Sequence, residues 1–178
     1  PAQTQAIAET TTVLNELGID MATTAQNINI MTTSLNMNAS EAEETSRRLF
    51  TAAQQMGVAP QQMAADFAAA GAQFASFGEN AVDAFIDLRE AAKKTGIELQ
   101  NLLSITEQFT TFEGAANNVG KLNALLGGPF LNTIDMVTLS LEDPAAALQE
   151  VRNAVLDAGL SFDDMNPAMR RAVAAAAG

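Results

Sequence analysis

The sequence predicts an all-α chain, a series of short amphipathic helices joined by glycine-capped turns and packed as a helical bundle or irregular helical array. Three observations carry that prediction. Alanine dominates, and Leu, Met, Gln and Glu fill much of the remainder, all of them strong helix formers. No segment alternates β-branched and polar residues with the period of two that a half-buried strand requires. A glycine followed by an aliphatic residue recurs where one helical pattern ends and the next begins.

Start and stop signals place the elements in order. Thr4 to Leu17 forms the first helix and stops at Gly18, and Ala22 to Met37 forms the second. Ser40 to Met56 opens on Ser40-x-x-Glu43, with a hydroxyl to accept from the free amides and Glu41, Glu43 and Glu44 in the opening turns. Asn38-Ala39-Ser40 also matches a glycosylation acceptor, but the N-cap explains the serine better. Pro60 to Phe77 starts with proline in the first turn, where its missing N–H costs nothing. Asn80 to Thr95 carries Arg89, Glu90, Lys93 and Lys94 as a solvated charged face. Leu99 to Phe112 and Ala115 to Leu126 flank a helix start near Glu113 and Gly114. The hardest stop follows, at Gly127, Gly128 and Pro129. Phe130 to Ser140, Pro144 to Ala158 and Phe162 to Ala176 complete the series, the last opened by Ser161 with Asp163 and Asp164 complementing the helix dipole. Grouped by composition, residues 1–38 are an Ala/Thr/Asn-rich segment, 39–128 a helix-turn-helix series, and 129–178 a C-terminal helical unit.

Within the series a pattern repeats. Leu49 to Met63, Leu88 to Leu102 and Val151 to Met165 align Ala52, Ala91 and Ala154, and also Gly57, Gly96 and Gly159. Val58, Ile97 and Leu160 follow those glycines. Each glycine is expected to close a helix in the left-handed conformation, with the next side chain folding back on the last turn. Leu17 to Asp20 reads as a fourth, weaker copy. A second echo is Phe-x-x-Phe, at Phe74 and Phe77 and again at Phe109 and Phe112. These four rings are expected to anchor two interhelical contacts, or, where exposed, an interface between copies. Met31, Met56, Met63, Met136 and Met165 read as core filler.

The residue inventory narrows the chemistry. With no Cys, His, Trp or Tyr, the chain has no disulfide, no thiolate or imidazole metal site and no Ser/His or Cys/His nucleophilic pair. We therefore expect no enzyme activity, no catalytic or metal-binding residue and no cofactor. A formal charge of −12 repels phosphate backbones, so nucleic-acid binding is not expected. No apolar run reaches the length of a membrane span. The sequence begins at Pro1 and ends in an alanine run, and reads as a piece of a longer chain.

The stretch from Phe112 to Leu122, FEGAANNVGKL, superficially suggests a phosphate-binding loop. That motif requires four residues between its first glycine and Gly-Lys, then Ser or Thr for the metal. Here five residues separate Gly114 from Gly120, and Leu122 follows Lys121. The apolar positions Ala115, Ala116, Val119, Leu122 and Leu126 instead continue one helical face.

The same stretch carries a different likeness. Phe112-Glu113-Gly114-Ala115-Ala116, Leu122-Asn123, Leu126-Gly127-Gly128, and Asn132 with Ile134-Asp135-Met136 make the run from Phe109 to Met136 distinctive. Asp157-Ala158-Gly159 and Phe162-Asp163-Asp164-Met165 extend it. Together these residues resemble the tail tape measure proteins of long-tailed contractile phages of the T4-like marine type. The resemblance covers about the last seventy residues. It implies a structural virion protein in the lumen of the tail, made in the bacterial host cytoplasm, that sets tube length during assembly. It also implies partners: sister copies in a trimer or hexamer, the tail tube and the baseplate hub. The rival expectation is a helical binding or translocator module of a secretion apparatus.

Overall fold

The structure, a computed structural model, describes residues 2–161 together with 163, 165, 167 and 170. It is all-α, with no strand among those residues. The helices are α1 (Ala2–Glu16), α2 (Met21–Asn29), α3 (Ala39–Met56), α4 (Pro60–Ala70), α5 (Ala81–Thr95), α6 (Leu99–Glu107), α7 (Phe112–Leu126), α8 (Thr133–Glu142) and α9 (Pro144–Asp157). A π-helical turn, Ile30–Ser34, continues α2, and a 3-10 segment, Gly71–Asn80, follows α4. The expected helix from Phe162 to Ala176, with its Ser161 and Asp164 cap, lies largely outside the described residues. The chain forms two compact units, Pro1–Glu90 and Ala91–Gly178.

In the first unit α1 packs on α2 and α3, while α4 packs on α2 and α3. The largest buried side chains are Met31, Met63, Phe67, Phe74, Phe85 and Leu88, set among buried alanines such as Ala42, Ala53 and Ala70. Phe85 of α5 meets two rings edge to face, Phe67 at 5.0 Å and Phe74 at 5.5 Å. That geometry places the positive edge of one ring on the negative face of another. One helix was expected from Pro60 to Phe77, but α4 gives way to the 3-10 segment at Gly71. A 3-10 turn holds three residues, so positions i and i+3 eclipse, and Phe74 sits 5.7 Å from Phe77. The segment is kinked at Gly78, whose φ of 56° and ψ of −125° are not helical. The second helix likewise departs from expectation: Leu35 N–H donates to Ile30 O, a π-type bond, and Asn36 turns to φ 54° before Met37.

In the second unit α7 packs on α8, α8 on α9, and α6 on α9. Phe109, Leu122, Leu131, Met136, Ala154 and Val155 lie in its core, with Phe130 and Leu160 packed against them. The methionine expectation holds for Met31, Met63, Met136 and Met165, all buried, whereas Met56 is half-buried.

Helix ends correct several cap assignments. Asn38, not Ser40, caps α3: its side chain accepts from Ser40 N–H and Glu41 N–H, and Glu41 accepts from Asn38 N–H at 2.7 Å. Glu43 is not a cap residue but pairs with Arg47 one turn on, at 2.7 Å. The expected Leu99 to Phe112 helix stops at Glu107, because Thr111 starts a new helix. Asn132, not Phe130, marks the start of α8, accepting from Ile134 N–H and Asp135 N–H. Pro60 and Pro144 occupy first-turn positions as expected.

Candidate functional site

The stretch Phe112 to Leu122 forms most of α7, one uninterrupted helix, and each distinctive residue in or beside it shapes that helix or the turn after it. Thr111 Oγ1 accepts from Gly114 N–H at 3.1 Å, capping the first turn. A Cβ on Gly114 would stand 2.6 Å from Gln108 O, so only glycine admits this approach of two backbone segments. Asn118 is buried, and its amide donates to Gln108 O at 3.4 Å and to Gln108 Oε1 at 3.3 Å. Gly127 adopts φ 82°, and its N–H and that of Gly128 both donate to Asn123 O. Gly128 does not share the left-handed conformation; a Cβ there would meet the Phe130 ring at 2.9 Å.

Asn123 holds the far side of that turn. Its Nδ2 donates to Leu131 O and its Oδ1 accepts from Leu131 N–H, both at 2.8 Å. One side chain therefore satisfies both backbone groups of a residue only 5% exposed. Sequence reasoning did not single out this role, since the contact spans the Gly-Gly-Pro break.

The four phenylalanines separate by environment. Phe74 and Phe109 are fully buried, Phe77 is half-buried, and Phe112 is 66% exposed at the first position of α7. The expectation of two like anchors thus holds for the first ring of each pair only. Other exposed apolar side chains in the second unit are Ile97, Ile134, Leu141 and Leu156.

The glycine repeats are placed as follows. Gly57 N–H donates to Gln54 O and Val58 N–H to Ala53 O, the paired bonds of a Schellman turn. Gly159 and Leu160 make the same pair with Leu156 O and Val155 O, and Gly18 and Ile19 with Asn15 O and Leu14 O. The weak fourth copy is thus a full member. Gly96 has the left-handed φ of 72° but a single bond to Ala92 O, and Ile97 is 41% exposed instead of folded back.

Among charges, Arg89 corrects the expected solvated face: its Nε lies 2.5 Å from Asp66 Oδ2 of α4, with both side chains mostly buried. Arg48 pairs with Asp83 in the same unit. Asp20 caps α2, accepting from Thr23 N–H and Thr23 Oγ1, and exchanges two bonds with Gln61 of α4. The Thr23 bonds and then Gln61 hold its carboxyl down at about 2. Among the described residues no group of three or more acidic side chains converges to hold a metal ion, and no helix is long and apolar enough to cross a membrane. Comparison with protein-family models, curated proteins and solved structures finds no match to this chain.

Proposed function

We propose that this chain is a structural segment of a phage tail tape measure protein, lying in the tail lumen and contributing to tube length during assembly. The observation that carries the reading is the run from Phe109 to Met136. Its residues resemble that family, and its distinctive positions are spent on a helix, its cap and its closing turn: Thr111, Gly114, Asn123, Gly127 and Asn132. An acidic surface also suits a filler that must not adhere to DNA sharing the same tube. The mechanism is steric. Helices pack with sister copies as a trimer or hexamer, and against the tail tube and baseplate hub, with Phe112 as the aromatic contact offered by its exposure.

Tail length tests the reading. A straight helix of this many residues would span about 270 Å at roughly 1.5 Å per residue, and the breaks between short helices shorten that reach. In-frame deletion of the segment from the parent gene should yield tails shorter by a fixed amount of up to about that length, measured by electron microscopy. Tails of unchanged length on assembled particles would overturn the ruler role.

A further inference from the structure

We propose that a cavity in the first unit, beside the π-turn, binds one ordered water molecule that donates a hydrogen bond to Asn27 Oδ1. Asn27 is only 6% exposed. Its Nδ2 donates to Ala64 O at 3.0 Å. A carbonyl can only accept, so this bond fixes which end of the amide faces Ala64 and leaves the oxygen on the other side. That oxygen is buried and has no partner among the described residues. Native interiors rarely leave such an acceptor unsatisfied without a water or ligand to answer it.

The space beside it fits a water. Asn27, Thr24 and Met31 lie on one face of α2 and its π-continuation, and with Ser46, Leu49 and Met63 they help line a cavity of about 20 Å3. A water needs roughly 10–15 Å3, so there is room for one molecule. The hydroxyls are already committed as donors, Thr24 to Asp20 O at 3.1 Å and Ser46 to Ala42 O at 2.8 Å. What the lining offers is therefore chiefly acceptors, an amide oxygen and hydroxyl lone pairs, beside the second N–H of Asn27 Nδ2. The occupant must be small and must donate to the unpartnered oxygen. Apolar walls disfavour a charged occupant of either sign. A neutral water meets both conditions, with one hydrogen to Asn27 Oδ1 and the other to a hydroxyl oxygen.

The test is a high-resolution crystal structure of the chain, paired with water NOE and ROE spectra in solution. We expect a solvent peak about 3 Å from Asn27 Oδ1. We also expect cross-peaks of opposite sign in the two spectra from that water to the Asn27 amide protons and to the methyl protons of Leu49 across the cavity, the signature of a held molecule, the Leu49 pair serving as the readout in variants of Asn27. Thr24→Val, which keeps shape and removes one acceptor, should leave the fold intact and weaken those cross-peaks severalfold. Asn27→Leu should abolish them. A dry cavity with the Asn27–Ala64 bond intact would overturn the proposal. So would a peak that grows on soaking with rubidium, marking a cation, or cross-peaks that persist in a folded Asn27→Leu variant.

Discussion

Asn123→Ala removes a side chain without touching the backbone bonds that close α7, which makes it a clean probe of the turn after the helix. The Gly127 and Gly128 amides donate to the Asn123 main-chain oxygen, so those bonds survive the substitution. The two 2.8 Å bonds to Leu131 are lost, leaving a buried donor and a buried acceptor. Each unsatisfied group costs about 1–3 kcal/mol, and the lower half of that range applies because Asn123 is itself only half-buried. Two groups give about 2–4 kcal/mol, from which alanine's better helix propensity returns roughly 0.5 kcal/mol. The expected loss is about 2–3 kcal/mol. At a slope of about 2 kcal/mol/M, urea unfolding followed by circular dichroism should show the midpoint falling by about 1–1.5 M, with the slope unchanged. Asn123→Asp keeps an acceptor for Leu131 N–H but sets a carboxylate against Leu131 O, and should lose at least half as much. Lys121→Ala, on the exposed side of the same helix, should stay within about 0.5 kcal/mol. If Asn123→Ala also stayed within that margin, the argument that this side chain fastens the turn would fail.

Two glycines of α7 should respond to alanine with opposite signs. Gly120→Ala meets nothing within 4 Å and should stabilise by about 0.5–1 kcal/mol, whereas Gly114→Ala drives a Cβ into Gln108 O and should destabilise; paired thermal melts decide both. Phe85→Leu retains most of the volume but forfeits two edge-to-face contacts, a loss of about 1–3 kcal/mol, while Phe85→Ala should cost about 3–5 kcal/mol, read by chemical denaturation. The Asp20 carboxyl should titrate near 2 instead of 3.8 in a carbon-detected NMR experiment, and Gln61→Ala should raise that midpoint. Because the folded value is the lower one, Asp20 stabilises the fold above about pH 4 and loses that contribution as pH falls from there towards 2, so Asp20→Asn should flatten the acid limb in that window.

The parts of the fold legible in the sequence are those written locally. A left-handed turn favours glycine whatever surrounds it, so Gly57, Gly127 and Gly159 can be read one residue at a time, and the same holds for prolines at Pro60 and Pro144. Cap choice is harder because Asn38-x-x-Glu41 and Ser40-x-x-Glu43 both fit the capping pattern two residues apart. The winner is decided by Glu41 reaching back to Asn38 N–H. The π-turn and the 3-10 segment are not marked by the apolar periodicity, which does not separate them from an α-helix over so few residues. Contacts made by distant residues select them: Phe74 must meet Phe85 while eclipsing Phe77. Arg89 is misread for the same reason, because Lys93 is its neighbour along the helix but Asp66 its partner in space.

The two Phe-x-x-Phe echoes show how far a repeated spacing can be trusted. Three residues separate the rings in both, yet Phe74 and Phe77 share one 3-10 segment, whereas Phe109 lies in the turn after α6 and Phe112 opens α7. A shared segment with three residues per turn brings its two rings to the same side. A spacing that straddles a helix boundary does not, because the Thr111 cap fixes an independent direction for the new helix. Phe109 therefore turns into the second unit's core and Phe112 outward to solvent. The spacing is an echo of composition rather than of structure, while the glycine turns at Gly18, Gly57 and Gly159, with identical bond pairs, are a repeat in the physical sense. Of these four rings, only Phe112, with half-buried Phe77 second, could make the contact between copies proposed above without unfolding its own unit. A Phe112→Ser variant is then the informative one for assembly, since a polar side chain at Phe74 or Phe109 would report on the core instead.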